Sequence, residues 1–183
     1  MSGIDKLTDP QKACLAIDHV VDAMAYHSSC PIRRAIILVD IHEHPHTTQS
    51  DIRQRLGVDK SSLNRDVDWM FNYGVIRREE SKEDGRKITL SISEYSAEHI
   101  EKALKTSKDS HKNLQIFLKK LINTLQDDKA TLREAKIIAK IHERGQITQE
   151  EILSSLYGGS PTTEKRALAK LIKEGLVRNA TNV

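Results

Sequence analysis

Aromatic residues are scarce in this 183-residue chain: one Trp, four Tyr and two Phe, 4% in all. With so few rings the core has to be built from Leu, Ile, Val and Ala, and it has to be small. Cysteine is nearly absent too. Cys14 and Cys30 are too few for a disulfide framework, so a reducing cytoplasm is the expected compartment. No run of about 18 apolar residues occurs, so no membrane span is expected. The opening stretch MSGIDKLTDPQK has no apolar centre of the kind a secretory signal carries. Neither sign of charge dominates: 29 Lys and Arg against 26 Asp and Glu leave +3. That balance permits nucleic acid without demanding it, so the placement of the charges decides. P-loop, nucleophile elbow and Gly-rich dinucleotide turn are all missing, so neither an enzyme nor a cofactor is expected.

What the chain does have is a repeat. Residues 31–56 and 131–156 align without a gap, one hundred positions apart. They share Arg33/Arg133, Ala35/Ala135, Ile37/Ile137, Ile41/Ile141, His42/His142, Glu43/Glu143, Thr48/Thr148, Gln49/Gln149, Ile52/Ile152 and Leu56/Leu156. Several matched positions are apolar and helically spaced, so the repeat is structural. Each copy continues through a polar turn into a further helix. Each then reaches a glycine and two apolar residues, Gly74-Val75-Ile76 and Gly175-Leu176-Val177. Two small helix-turn-helix units in one chain point to nucleic-acid binding.

The periodicity predicts a first helix over 9–27, with Asp9 as its cap, Pro10 in its first turn and an apolar stripe from Ala13 to Met24. A second helix is expected over 31–44. Thr48-Gln49-Ser50-Asp51 and Thr148-Gln149-Glu150-Glu151 then read as capping boxes. In the helix from Lys60 to Phe71, Leu63, Val67, Met70 and Phe71 define the buried side, which turns Ser61, Ser62, Asn64 and Arg65 outward. Gly74 ends it. Ile88, Leu90 and Ile92 alternate with polar residues, and Asp84-Gly85 marks the hairpin that joins this strand to one beginning at Val75. Helix returns over 97–126, with a seam of Leu114, Phe117, Leu118, Leu121, Ile122 and Leu125; the polar span Lys105–Lys112 reads as a kink or an exposed stretch. In the second copy Gly158-Gly159 is the turn and Ser160-Pro161 the cap, with room for one strand over 176–183 and none for its return. The expected fold is mainly α with a small β-wing, two helix-turn-helix units joined by a long helix. The expected divisions are an N-terminal helix (1–30), a winged helix-turn-helix (31–93), a connecting helix (94–128) and a second unit with an incomplete wing (129–183).

Residues 59–93, read as NRDVDWMFNYGVIRRE and EDGRKITLSIS, resemble the MarR family of transcriptional regulators. The wing tip Asp84-Gly85-Arg86 is the most specific part, and the resemblance extends over roughly 9–105. It implies a homodimer that reads a palindrome, with the reader helix in the major groove and the wing arginine in the minor groove. Two departures stand out. Ser96 takes a place where the family has Gly, and a second helix-turn-helix stands where the family has terminal dimerisation helices.

Direct readout needs donors and acceptors on an exposed helix face. Arg65 suits guanine and Asn64 adenine; Ser61 and Ser62 add hydroxyls. Lys60 and the helix N-terminus suit a phosphate. Arg86 and Lys87 are placed for the minor groove or the backbone. In the second copy Ser160, Thr162, Thr163, Lys165 and Arg166 could contact DNA, with the missing wing weighing against it. His42, His44 and His46 invite a metal reading. Alternate spacing separates them, however, and the recurrence of His42 as His142 favours a structural role, so no metal is expected. Cys14 reads as a buried thiol rather than a sensor. Trp69 reads as core packing.

These readings lead to a cytoplasmic, homodimeric regulator of transcription, a repressor, bound to double-stranded DNA, with 1–30 and 94–128 closing the dimer. Its effector is not legible. A replication or partition accessory protein that binds direct repeats is one alternative. A tandem winged-helix module that binds a protein partner is the other.

Overall fold

Most helix starts in this chain are set by side-chain caps. The computed structural model describes residues 4, 7–156 and 160–179. In order, they form α1 (Asp9–Ala23), α2 (Ile32–Glu43), α3 (Gln49–Leu56), α4 (Lys60–Asn72), β1 (Ile76–Glu80), β2 (Ile88–Ile92), α5 (Glu94–Thr106), α6 (His111–Leu125), α7 (Leu132–Arg144), α8 (Gln149–Ser154) and α9 (Pro161–Lys173). Thr8, Thr48, Thr131 and Thr148 each close a capping box with the residue three positions on. The cap of α1 is therefore Thr8 and not Asp9, which instead places its charge at the positive end of the helix. α1 also stops at Ala23, short of residue 27, because Ala25 and Tyr26 take φ of 51° and 64°.

The connector is two helices rather than one rod. Lys108 and Asp109 take φ of 60° and 50°, and Ser110 caps the fresh start at α6. The polar span between them has no apolar stripe to hold a continuous helix against the core.

Aliphatic side chains from both units fill one continuous core, with Ile17, Ile37, Leu38, Ile41, Leu63, Met70 and Ile137 fully enclosed. Phe71 is outside it, 44% exposed. Leu63, Val67 and Met70 set the inward stripe of α4, and Phe71 sits one position round from it, where its ring lies 4.7 Å from the Arg78 guanidinium.

β1 and β2 form an antiparallel hairpin in which Ile76 faces Ile92 and Arg78 faces Leu90. Leu90 anchors it: its side chain is buried, and its N–H donates to the Thr47 carbonyl at 2.7 Å. The wing is thereby tied to the loop between α2 and α3.

α1 packs against α5 and α7, and α2 packs against α6. The chain itself thus covers helix faces that were expected to meet a second copy. Between the two units Pro31 and Thr131 form an antiparallel bridge, with the Ile32 N–H donating to the Ala130 carbonyl at 2.8 Å and the Leu132 N–H to the Cys30 carbonyl at 3.1 Å. Residues 176–179 of the expected last strand form no strand. The expected turn at Gly158-Gly159 and residues 180–183 lie outside the described residues.

Candidate nucleic-acid interface

Asp59 starts α4. Its carboxylate accepts the Ser62 N–H at 2.9 Å and the Ser61 hydroxyl at 2.8 Å, and these bonds hold its carboxyl well below the usual range. Lys60, Ser61, Asn64 and Arg65 are exposed on the first turns, as the spacing predicts. Arg65 lies back along the helix, its Nε donating to the Ser61 carbonyl at 3.3 Å. Ser62 departs from the expectation: it is only 9% exposed. The inward stripe of α4 is two residues wide, 62–63 and 66–67, and Ser62 falls on its edge.

Buried ion pairs fix α4 against α2. The Asp66 carboxylate, 2% exposed, accepts from Arg33 at 2.8 and 2.9 Å on one oxygen and from Arg34 at 3.1 and 3.2 Å on the other. The Arg34 guanidinium also lies 4.3 Å from the centre of the Trp69 ring, which stacks in turn on Tyr73. Trp69 is thus a half-buried packing residue. A second pair joins α3 to α2: Arg55 donates to buried Asp40 at 2.7 to 3.2 Å and to the Thr47 hydroxyl at 2.7 Å. Asp68 of α4 pairs with Arg78 of β1. α4 is therefore clamped to α2 and to the wing, and its outer face is preorganised.

At the wing tip Asp84 organises the turn. It accepts the Arg86 N–H on its side chain at 3.1 Å and the Lys87 N–H on its carbonyl at 2.8 Å. Arg86 and Lys87 are both exposed. The structure adds residues that periodicity did not single out. Ser50, Arg53 and Gln54 of α3 line one open hollow with Gly57, Val58 and Asp59, beside the start of α4. Their signal was the short apolar face of α3, which leaves the opposite side free.

In the second unit Ser160, Thr162, Thr163, Lys165 and Arg166 are all exposed. The Ser160 hydroxyl caps α9, meeting the Thr163 N–H at 3.3 Å and its hydroxyl at 2.9 Å.

The three histidines near residue 44 point to three different places. His42 Nδ1 meets His111 Nε2 of α6 at 2.7 Å, His44 Nδ1 meets the Asp40 carbonyl at 3.1 Å, and His46 faces Glu79 of the wing at 3.6 Å. His142 is exposed while His42 is half-buried, so the shared letter carries no shared role. The side chains that could hold a metal lie elsewhere, on α1 and α5: the donor atoms of His19, Asp22 and His99 fall within 4.8 Å of one another. The Nδ1 atoms of both histidines are buried without a hydrogen-bond partner. Cys14 is buried against α7, and that burial pushes its thiol up to about 12, which removes the thiolate a sensor requires.

Among the described residues no helix is long and apolar enough to cross a membrane. None of the curated proteins matches the chain. A solved structure titled as the crystal structure of MarR is similar at 21% identity, covering 68% of this chain and 82% of its own, with a TM-score of 0.41. The MarR family model matches residues 33–88, from α2 to the first residue of β2. Over residues 33–88, which hold nearly all of α2 and the whole of α3, α4 and β1, the chain is similar to the MarR family.

Proposed function

We propose that the protein is a sequence-specific regulator of transcription that binds double-stranded DNA and works in the cytoplasm. The observation that supports it best is the exposed row Lys60, Ser61, Asn64 and Arg65 on a helix clamped from behind by Asp66, Arg33 and Arg34. An α-helix fits the major groove. There Arg65 offers a forked pair of donors to guanine, Asn64 a donor and an acceptor to adenine, and Ser61 a hydroxyl to either. Lys60 and the N-terminus of α4 take a phosphate, and Arg86 with Lys87 extends the contact from the wing. Ser62 contributes through its backbone cap and not through base contact. Repression is the mode we assign, since occupying a site requires nothing of the protein but binding.

Selection of sites from random duplex DNA with the full chain, at physiological salt, tests the reading. An enriched motif supports it; weak binding that vanishes with salt and enriches nothing counts against it. A second reading, a replication or partition accessory protein, is favoured by the presence of two units in one chain; enrichment of direct repeats would mark it. The resemblance to the family assigns the second reader of a two-part site to another copy of the chain, as a homodimer.

A further inference from the structure

We infer that one copy of this chain is itself a pseudo-twofold pair of reader units, with α9 as the second DNA-reading helix, so that a single protomer spans two unlike half-sites. The inference rests on the DNA-binding reading above and replaces the second copy with the second unit.

The bridge between Pro31 and Thr131 carries the argument. These residues occupy the same place in the two repeats, one hundred positions apart. The flanking bonds are reciprocal: Ile32 donates to Ala130, and Leu132, its equivalent, donates to Cys30, the equivalent of Ala130. Equivalent residues that pair with each other and exchange equivalent bonds lie on a local twofold axis, as in an isologous dimer. The helices obey the same exchange. α1 precedes α2 and α6 precedes α7; α1 packs on α7, and α6 packs on α2. Lys136 of α7, almost fully enclosed, meets Asp18 of α1 at 2.6 Å inside that seam.

Within the second unit α9 is held to α7 as α4 is held to α2. Arg34 lies over Trp69; at the corresponding positions Glu134 accepts from Lys170 at 2.8 Å. The contact is kept and its chemistry is changed. Both reader helices end alike, on Gly74 and Gly175 with φ of 69° and 75°. The Val75 N–H then returns to the Met70 carbonyl at 2.8 Å, and the Leu176 N–H returns to the Leu171 carbonyl at 3.0 Å. With that register Ser61, Asn64 and Arg65 correspond to Thr162, Lys165 and Arg166, and all six are exposed. Arg65 and Arg166 occupy the same place on the two helices. Lys165 in place of Asn64 changes what the second helix can read, so the two half-sites differ and the site is no true palindrome. Twofold-related reader helices set half-sites in opposite orientation, about one helical turn or a multiple of it apart. α9 has no strand after it among the described residues, so wing contacts fall on one half of the site only.

Footprinting and stoichiometry on a selected duplex test this, using the full-length protein, the double variant Lys165→Ala/Arg166→Ala and the single variant Arg65→Ala. All three altered side chains are exposed, and thermal melting checks that each variant folds. One chain is expected per duplex. The double variant is expected to bind about tenfold or more weakly and to lose protection on one half only. Its salt slope is expected to fall by about 2 if both cations meet phosphates. Arg65→Ala is expected to lose the other half. Two chains per duplex with a symmetric footprint overturn the inference. So does a double variant that binds and protects as the parent does while Arg65→Ala is weakened; in that case α4 still reads DNA and only α9 is dismissed. If neither variant changes anything, the DNA-binding reading fails along with it.

Discussion

Asp66 shows how one buried carboxylate can position a whole helix face. Its two oxygens serve two guanidiniums, and all three groups lie behind the row that faces outward. Asp66→Ala leaves Arg33 and Arg34 facing a buried gap, and we expect it to lower stability by about 3 kcal/mol in urea unfolding; a loss well under 1 kcal/mol would deny Asp66 this role. Arg65→Ala should do the opposite, leaving stability alone and weakening specific binding by about 1–3 kcal/mol in titrations of a selected duplex. Histidines give a pH dependence of definite sign. Burial pulls His19 and His42 below the ordinary 6.5; beside His42, His111 lowers it further, while Glu101 opposes the shift. The folded chain therefore holds them neutral and the unfolded chain protonates them more readily, so their contribution is present above 6.5 and is lost as pH falls below it. His42→Gln should flatten that loss when unfolding midpoints are compared across pH; an unchanged profile would rule His42 out as its source. At this scale the exposure of Asn64 and Arg65 was legible, because the stripe of Leu63, Val67 and Met70 points the other way. The Asp66 pairs were not, because their partners lie 33 and 32 residues away in the chain.

Capping decided most of the helix starts, and caps are local, which is why the threonine boxes of α3 and α8 could be read directly. Thr48→Ala should cost about 1 kcal/mol in thermal or urea unfolding, since the Asp51 N–H would lose its acceptor and the Asp51 carboxylate would keep only the bond donated by the residue 48 N–H. The wing was equally legible from its alternation and its Asp84-Gly85 tip. Arg86→Ala should reduce the salt dependence of DNA binding by about one unit of slope if it meets a phosphate; an unchanged slope and affinity would remove the wing tip from the interface. The connector was harder to read. A polar span at Lys105–Lys112 signals weak packing, but nothing local tells a bent helix from two helices, and only the positive φ at Lys108 and Asp109 settles it. Phe71 was misplaced for a related reason: a hydrophobic residue beside the stripe looks like part of it until its direction is known.

The repeat is plain in the sequence, yet the way its copies dock is not. Whether two units sit apart on a linker or close on each other depends on which face α1 and α6 cover, and each is apolar enough to serve either a partner chain or its own. In the structure α1 lies on α7, α6 lies on α2, and the Pro31–Thr131 bridge joins the units at equivalent positions. The molecule thus joins α4, the wing and α9 in one packed fold, and the proposed function stands or falls with α4. The measurement that tests this most directly is site selection from random duplex DNA, run in parallel with the parent chain and with Arg65→Ala. The account predicts a defined motif for the parent and loss of preference, in the variant, at the positions within one half-site that Arg65 reads. The same motif from both proteins, or no motif from either, would contradict it.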